Sequence, residues 1–247
     1  MLTKHEIDIM RKNGKIHKKV FEEIKKISKQ WVSAKKIDNL CEEIALQNWV
    51  LCWFKWVYWF PNNICISIND VVVHWRPKEW IIFKNWDLVT FDFWIKDKKL
   101  WINTDAAFSV IIWWYNENPI WWMLIETNKR ALAMWLKVAK VWNTIWDISS
   151  VIQKEVEWAW YCIVKDLTWH TIWKKVHEKP YIPNHGKSWT WVKLKKWMTL
   201  AIEPIIWETS WEIIDKWSWE IYIKDGSLWC QYEHTILVTD GEPEIIV

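Results

Sequence analysis

Two aspartates between Asp87 and Ser109 have the residue type and spacing that metal or acid–base chemistry needs. Asp92 interrupts the apolar strand pattern DLVTFDFWI, and Asp105 opens the next apolar run, AAFSVII, 13 residues later. A buried carboxylate is costly unless it is paired, hydrogen-bonded or bound to a metal ion. Two carboxylates on adjacent strands repel each other unless a cation lies between them. The stretch therefore predicts a β-hairpin. Taken alone, it favours an aspartate that faces solvent, with a cation between two buried carboxylates as the alternative.

Three further polar residues stand in apolar surroundings. His170 lies between IVKDLTW and TIW, Glu203 lies in the strand pattern MTLAIEPII, and Glu233 lies in CQYEHTILV. Each alone is compatible with a satisfied core or edge residue. Four carboxylates and one imidazole together form an oxygen-rich set that suits divalent Mn, Fe, Co or Zn. Bridging carboxylates would hold two such ions close together, and a pair of ions binds and ionises a water.

The elements that must position these residues begin with two amphipathic helices. Thr3 and Glu6 form a capping box, and the apolar spacing predicts a helix from there to about Ser28. Ser33 caps a second helix over 34–48, which Trp49 ends. Short strands follow in NICISIN and VVVHW, before the hairpin.

The second half repeats this order. Helices are predicted over about 123–140 and over 147–159, and strands follow them. Aligning the halves gives offsets of 111, 111 and 110 for the pairs Trp31 with Trp142, Ile37 with Ile148, and Cys52 with Cys162. An internal pseudo-repeat of this kind predicts an α+β fold, with strands inside and helices outside, in a single domain over 1–247.

Composition excludes several classes of protein. The net charge of +3 is too balanced to indicate binding of nucleic acid or of an anionic membrane. The polar first residues are not a signal peptide, and no run of eighteen apolar residues predicts a membrane span. Five scattered cysteines without a CxxC pair indicate a reduced, cytoplasmic protein with free thiols.

Tryptophan is abnormally frequent. The chain has 29 tryptophans and 4 glycines, whereas an average chain of this length would hold about 17 glycines. Trp49 and Trp135 end helices and Trp86 fills the turn KNWD, where an indole is poorly suited to the left-handed backbone of turns and helix ends. Some bacterial lineages read the codon UGA as glycine. We hypothesise that most of these tryptophans are glycine in the native protein, against the alternative of a truly tryptophan-rich chain.

With these residues in view, the chain resembles the type I methionine aminopeptidases over nearly its whole length. The matching strings are CISINDVVVHWRP, DLVTFDFWI, TDAAFSV, LTWHTIWKKVHEKP, MTLAIEPII and QYEHTILVTD. With glycine in place of tryptophan they read HGRP, TGHTIGKKVHE and GMTLAIEP, close to the wording of the family. The resemblance implies the pseudo-two-fold "pita-bread" α+β fold, with a central antiparallel sheet and helices outside. The spacing of Asp92 and Asp105 is longer than is usual in the family, which makes the register of this hairpin a point to check.

The resemblance also implies a ligand set for two divalent metal ions, Co, Mn, Fe or Zn. Asp92 would chelate one ion, and Asp105 and Glu233 would bridge both. His170 and Glu203 would complete the other site. Glu203 would also move a proton as general base and then as general acid.

Five further residues gain a role from the resemblance. His74 and His177 match the two histidines that touch the substrate and the developing oxyanion without binding metal; without the motif, each is compatible with a surface position. Phe60, Cys65 and Trp219 match the apolar pocket for the methionine side chain. Trp219 keeps the spacing of the family to Glu233 and is expected to be a true tryptophan. Trp75, Trp169 and Trp173 lie beside the histidines of the site and are expected to be glycine.

The function implied is removal of the N-terminal methionine from nascent proteins when the second residue is small. The implied partners are nascent polypeptide N-termini, at the ribosome, for a cytoplasmic monomer. Two alternatives remain: a proline-specific peptidase of the same fold, and a non-catalytic binding protein on that scaffold.

Overall fold

A computed structural model describes residues 2–57, 59–112, 119–165, 167–186, 192–209, 212–215 and 221–247. The described residues form four α-helices, a short 3₁₀ helix over Phe54–Trp56 and fourteen short strands. The helices are α1 Lys4–Ile27, α2 Ala34–Gln47, α3 Pro119–Leu136 and α4 Ile145–Trp158. The strands are β1 Val50–Cys52, β2 Cys65–Ile68, β3 Leu88–Asp97, β4 Asn103–Ile111, β5 Cys162–Ile163, β6 Thr168–Thr171, β7 Glu178–Pro183, β8 Thr199–Ile202, β9 Ile205–Trp207, β10 Ile213–Asp215, β11 Ile221–Ile223, β12 Trp229–Gln231, β13 His234–Leu237 and β14 Glu244–Ile245.

The predicted helix starts are confirmed by their caps. The Thr3 hydroxyl accepts from the Glu6 backbone N–H, and the Glu6 carboxylate accepts from the Thr3 N–H at 2.9 Å, which closes the capping box. The Ser33 hydroxyl caps α2 by accepting from the Lys36 backbone N–H at 3.2 Å. Thr144 and Asp147 form a second capping box at the start of α4. Orphan N–H groups at the starts of α1, α2 and α4 are thereby satisfied.

The predicted hairpin is also confirmed. Strands β3 and β4 pair in antiparallel register from Leu88 opposite Ile111 to Lys96 opposite Asn103. The other edge of β3 pairs with β2 and, further along, with β1. Helices α1 and α2 cover one face of this sheet, and their apolar side chains form one core cluster with those of β2, β3 and β4.

The second half builds a five-stranded antiparallel sheet in the order β14-β13-β8-β6-β7. Helices α3 and α4 pack on it through a second buried cluster that includes Ile148, Ile152, Leu200 and Ile236. A three-stranded sheet, β12-β9-β5, lies beside it. This placement of helices outside antiparallel strands matches the predicted α+β architecture.

The predicted pseudo-repeat is visible in backbone geometry. The N–H of Trp31 donates to the carbonyl of Phe83, and the N–H of Trp142 donates to that of Leu194. Each residue of the second pair lies 111 positions after its counterpart. The same offset relates the isolated bridges Ser33–Ile82 and Thr144–Lys193. The segments that lead into α2 and into α4 therefore have the same backbone contacts.

Eight of the tryptophans in the described residues adopt positive φ angles, between 60° and 79°. This left-handed region is costly for a residue with a Cβ atom. Several of these indoles are exposed, among them Trp59 at 96% and Trp160 at 90%. Tryptophan on turns, strained and exposed, is the arrangement that the glycine hypothesis predicts. The eight residues are Trp31, Trp49, Trp59, Trp86, Trp101, Trp142, Trp160 and Trp197.

Three details differ from the sequence predictions. Residues 71–75 are not a strand, because Val71 makes only an isolated bridge and His74 turns the chain with a φ of 65°. The third helix begins and ends about four residues earlier than predicted. Glu203 and Glu233 lie directly next to strand ends and not within a strand, because Pro204 interrupts the first pattern and the chain passes from β12 to β13 at the second. Within the described part of the chain, no helix combines the length and apolarity needed to cross a bilayer.

Candidate active site

The hairpin places its two aspartates on neighbouring strands. Asp92 lies on β3 opposite Cys65 of β2, and Asp105 lies on β4 opposite Trp94 of β3. Asp92 is 8% exposed and Asp105 is 1% exposed, so both carboxylates are buried. The register settles the spacing question, because the longer connection is taken up by the turn between Asp97 and Asn103.

The second sheet brings the other three residues to the same place. His170 on β6 pairs with Ala201 of β8. Glu203 follows Ala201 by two residues, so along an extended chain the two side chains point to the same face. Glu233 immediately precedes β13. The two sheets are fastened together beside the site, because the Glu233 N–H donates to the Ala107 carbonyl at 2.9 Å. Thr235 bonds both the N–H and the carbonyl of Asp105.

The ligand atoms of Asp105, His170 and Glu233 all lie within 4.8 Å of one another. The Nε2 atom of His170 lies 3.7 Å from Oδ2 of Asp105 and 3.9 Å from Oε1 of Glu203. Ligands that share a cation at about 2.0–2.2 Å lie roughly 3–4 Å apart. The spacing of these atoms therefore fits a common ion.

Among the residues that the structure describes, three buried carboxylate oxygens have no hydrogen-bond partner: Oδ1 of Asp92, Oδ1 of Asp105 and Oε1 of Glu233. An unpartnered buried carboxylate oxygen carries a large desolvation cost, which a cation removes. Burial raises the pKa of Asp92 to about 8. The pKa values of Asp105 and Glu233 also rise well above the usual range, through burial first and then through the neighbouring carboxylates. The donor set fits one or more divalent cations.

His170 is prepared to bind metal through Nε2. Its Nδ1 atom lies 3.2 Å from the carbonyl oxygen of Thr171. A carbonyl only accepts, so Nδ1 carries the proton and Nε2 presents its lone pair to the carboxylates. Burial, and then the neighbouring His177, lower the pKa of His170 to about 3, which keeps the ring neutral.

Glu203 is held by a buried hydrogen-bond chain. Gln231 donates from Nε2 to Oε2 of Glu203 at 2.8 Å. The backbone N–H of Gln231 donates to the hydroxyl of Ser109 at 3.0 Å, and that hydroxyl lies 2.7 Å from the hydroxyl of Thr90. Burial, together with the charge of Asp92, raises the pKa of Glu203 well above its usual range. Fixed in place, with a raised pKa, this carboxyl is suited to accept and return a proton.

A cavity of about 350 Å³ opens over this cluster. Asp92, His170 and Glu203 form part of its wall, and His74 and His177 line it as well. Burial lowers the pKa of His177, and burial with the neighbouring His177 lowers that of His74 to about 4, which favours the neutral form of both rings. The rings of His170 and His177 meet edge to face, with centroids 4.4 Å apart.

The predicted methionine pocket is filled by an indole. Phe60 and Cys65 belong to a buried apolar cluster with Phe54, Trp94 and Val176, behind the cavity wall that Trp94 forms. The Trp94 ring stacks on Phe54 with centroids 4.2 Å apart and meets the His177 ring at 5.1 Å. Glycine at position 94 would connect the cavity to Phe60 and Cys65. Trp219 lies outside the described residues.

Some predicted neighbours of the site behave differently. Trp169, expected to crowd His170, points into the core, where its indole N–H donates to Oδ1 of Asn184 at 2.6 Å. Trp75 and Trp173 are absent from the described cavity wall, and Trp94 stands there instead.

Sequence reasoning missed several wall residues. Strand alternation could have found two of them, because Thr168 precedes His170 by two positions and Ile205 follows Glu203 by two. Tyr181 reaches the wall only through the pairing of β7 with His170, which no local pattern reveals.

Residues 8–240 match the model of metallopeptidase family M24, and the chain belongs to this family. Within it, the chain is similar to methionine aminopeptidases. It is 34% identical to that of Buchnera aphidicola subsp. Schizaphis graminum, over 99% of this chain and 92% of the relative. It is 31% identical to that of Clostridium perfringens, over 99% and 96%.

Solved structures agree. The methionine aminopeptidase of Thermotoga maritima superposes with a TM-score of 0.95 at 31% identity, covering 99% of this chain and 97% of that chain. The prolidase of Pyrococcus horikoshii shares the fold, with a TM-score of 0.71 at 18% identity over 62% of its own length. The predicted resemblance to type I methionine aminopeptidases and the predicted pita-bread fold are confirmed. Membership of the M24 family makes the chain a metallopeptidase that binds divalent metal.

Proposed function

We propose that this protein removes the N-terminal methionine from nascent polypeptides whose second residue is small, as a single catalytic domain over 1–247. The observation that carries the proposal is the convergence of Asp105, His170 and Glu233 beneath a cavity that His74 and His177 also line. Neutral histidines beside a buried acidic metal site are the groups that peptide-bond hydrolysis requires. The full-length similarity to methionine aminopeptidases supports this choice of reaction.

Asp92, Asp105, His170, Glu203 and Glu233 would hold two divalent ions, Co, Mn, Fe or Zn. Three carboxylates with unpartnered oxygens, and a histidine whose Nε2 faces them, support more than one ligand position. When bound, the ions would supply Lewis acidity toward the scissile carbonyl and would lower the pKa of the water that serves as nucleophile.

The proton of the attacking water goes to Glu203, which delivers it to the leaving amine. The raised pKa of Glu203 supports this role, because a raised pKa makes a carboxylate a stronger proton acceptor. His177 and His74, neutral and on the cavity wall, donate hydrogen bonds to the developing oxyanion and to the substrate backbone.

The methionine side chain would lie against Phe60, Cys65 and Trp219. Phe60 and Cys65 are 4% and 2% exposed, so they offer apolar surface once residue 94 is glycine. Cys65 also accepts a hydrogen bond from the His74 backbone N–H at 3.0 Å. The pocket and the catalytic histidine are thereby coupled.

A proline-specific peptidase is the competing enzyme of the same fold. The prolidases that superpose do so at 18–19% identity, which indicates a shared fold alone. A non-catalytic protein on this scaffold is disfavoured because all five ligand residues are present. We further propose that the protein is a cytoplasmic monomer that meets nascent chains at the ribosome; the reduced, scattered cysteines support the compartment.

The test is turnover of matched peptides by the native protein with each divalent metal. Met-Ala-Ser should be cut far faster than Leu-Ala-Ser or Met-Lys-Ser, and Ala-Pro peptides should be left intact. Equal rates for methionine and leucine at the first position would exclude a methionine-specific enzyme. Faster release from Ala-Pro would establish the prolidase alternative.

A further inference from the structure

Asp38 is a buried carboxylate on α2, at a distance from the metal cluster along the chain, and it is 0% exposed. Its Oδ1 atom accepts from the backbone N–H of Asn63 at 2.6 Å. Its Oδ2 atom accepts from Nδ2 of Asn62 at 3.1 Å and from Nζ of Lys35 at 2.6 Å. Asn62 also donates to the carbonyl of Pro77 at 3.0 Å. One carboxylate thus joins a helix to two separate segments.

Both segments carry residues of the substrate pocket. Asn62 and Asn63 lie between Phe60 and Cys65, so the bond from Asn63 fixes the loop that leads from one pocket residue to the other. Pro77 lies three residues after His74, so the bond from Asn62 fixes the segment behind that histidine. No metal ligand takes part in this network.

The network needs an acceptor with two oxygens. The groups that face the Asp38 side chain are a backbone N–H, an amide NH₂ and an ammonium, and all of them donate. A carboxylate accepts from all three, and hydrogen bonds to a charged acceptor are among the stronger ones. An asparagine at this position would turn its own NH₂ toward one of these donors and leave that donor unsatisfied.

We propose that Asp38 is a positioning residue of the methionine pocket: its carboxylate sets where Phe60, Cys65 and His74 stand relative to the metal site. The inference rests on the proposed function and adds a determinant of substrate selectivity outside the cavity. Misplacement of pocket residues by about 1 Å costs up to about a hundredfold in rate. Losing the Asp38 network should therefore weaken recognition of the methionine side chain while leaving the metal site intact.

The test compares Asp38→Asn with Glu42→Gln in the native chain. Glu42 lies on the same helix and pairs with Lys55 of the same loop at 2.9 Å, but both side chains are more than 40% exposed. Each substitution exchanges a carboxylate for an amide of equal size. Three readouts are needed. The first is kcat and KM for Met-Ala-Ser and for the peptide in which ethionine, one methylene longer, replaces methionine. The others are Mn²⁺ affinity by calorimetry and amide hydrogen exchange of residues 53–65.

Asp38→Asn is expected to raise KM for Met-Ala-Ser about tenfold and to reduce the preference for methionine over ethionine, with Mn²⁺ affinity unchanged. Exchange should rise in residues 53–65 and stay unchanged in the hairpin 88–111. Glu42→Gln should match the wild type in every readout. Unchanged selectivity and exchange in Asp38→Asn, or equal losses in both variants, would overturn the proposal.

The two proposals fail in distinguishable ways. If the wild-type protein leaves Met-Ala-Ser intact, the proposed function is wrong, and the exchange measurement still decides whether Asp38 fixes the loop. If the wild type cleaves the peptide and Asp38→Asn loses rate equally on both substrates, with lower metal affinity, Asp38 is structural and the positioning role is wrong.

Discussion

Asp92 and Glu203 occupy equivalent positions in the two halves of the fold. They are 111 residues apart, and β3 and β8, which begin at Leu88 and Thr199, are offset by the same number. Asp92 contributes to the raised pKa of Glu203, so the two equivalent carboxylates interact across the site. The pseudo-repeat that organises the backbone therefore also supplies one acidic residue from each half to the cavity.

The first prediction separates proton transfer from transition-state binding. Glu203→Ala should abolish turnover, because it removes a metal ligand and the proton carrier together. His177→Ala should lower kcat by about 10²–10³, the cost of one lost transition-state hydrogen bond, with Mn²⁺ affinity nearly intact. Steady-state kinetics and metal titration measure both. Release of the metal by His177→Ala would show that this histidine is a ligand.

The second prediction concerns Trp94, whose indole fills the space in front of Phe60 and Cys65. Trp94→Gly should lower KM for Met-Ala-Ser by at least about tenfold relative to the chain with Trp94, because burying a methionine side chain is worth about 1.5–3 kcal/mol. Trp160→Gly is the matched control, because Trp160 is 90% exposed, lies away from the cavity and has a positive φ angle at a turn. It should leave KM unchanged. If the protein with tryptophan at position 94 were as active as Trp94→Gly, the methionine pocket would lie elsewhere.

The third prediction concerns metal and stability. A cation that binds the folded state at a hundred times its Kd stabilises it by about 2.7 kcal/mol. Mn²⁺ should therefore raise the Tm by several degrees in differential scanning fluorimetry. Asp105→Asn should remove this shift, whereas Asp240→Asn, which alters an exposed ion pair with Lys196, should keep it. A shift that survives in Asp105→Asn would indicate another metal site.

The fourth prediction is a pH dependence that originates at His17. This ring is completely buried on α1 between Phe21 and Phe93, and burial lowers its pKa to about 3. Below pH 6.5, the usual pKa of histidine, His17 is protonated in the unfolded chain but stays neutral in the folded protein. The free energy of unfolding therefore falls as pH decreases. The contribution from pH 7 to pH 5 is about 2 kcal/mol.

His17→Gln should therefore make urea unfolding less sensitive to pH over this range by about that amount. His5→Gln on the exposed side of the same helix is the control and should retain the wild-type dependence. Parallel pH profiles for wild type and His17→Gln would show that His17 is not the group responsible.

The fifth prediction concerns the tryptophans themselves. Protein purified from its native organism should weigh several kilodaltons less than 30.4 kDa, with glycine at most tryptophan positions and tryptophan at Trp219. Peptide mass spectrometry reads each position directly. Intact tryptophan at positions 49, 94 and 160 of an active native enzyme would refute the glycine hypothesis.

Local patterns predicted most of the fold. Caps at Thr3 and Ser33, apolar periodicity in the helices and the strand alternation around Asp92 all depend on neighbours along the chain, so the sequence reveals them. The strand prediction for 71–75 was wrong because three valines favour strand locally, whereas His74 needs a turn that presents it to the cavity. Tertiary demands override propensity at such positions.

The five candidate ligand residues could be proposed from the sequence because each is a polar group in an apolar run. The Asp38 network and the wall residue Tyr181 were not, because they depend on which segments meet across the fold. The Trp169 indole likewise packs on the face of β6 opposite His170, beside Asn184, a contact between distant segments. Spacing in the chain contains no such information.

The indole of residue 94 also matters for expression of this gene in hosts with a different genetic code. Where the codon at this position is read as tryptophan, translation yields a folded metal site whose specificity pocket is already occupied, and where it is read as glycine the pocket is open. If the glycine hypothesis holds, the reading of this codon therefore decides whether a transferred copy of the gene yields an enzyme with an open methionine pocket. The same rule makes a codon-corrected gene a requirement for any inhibitor screen against this protein.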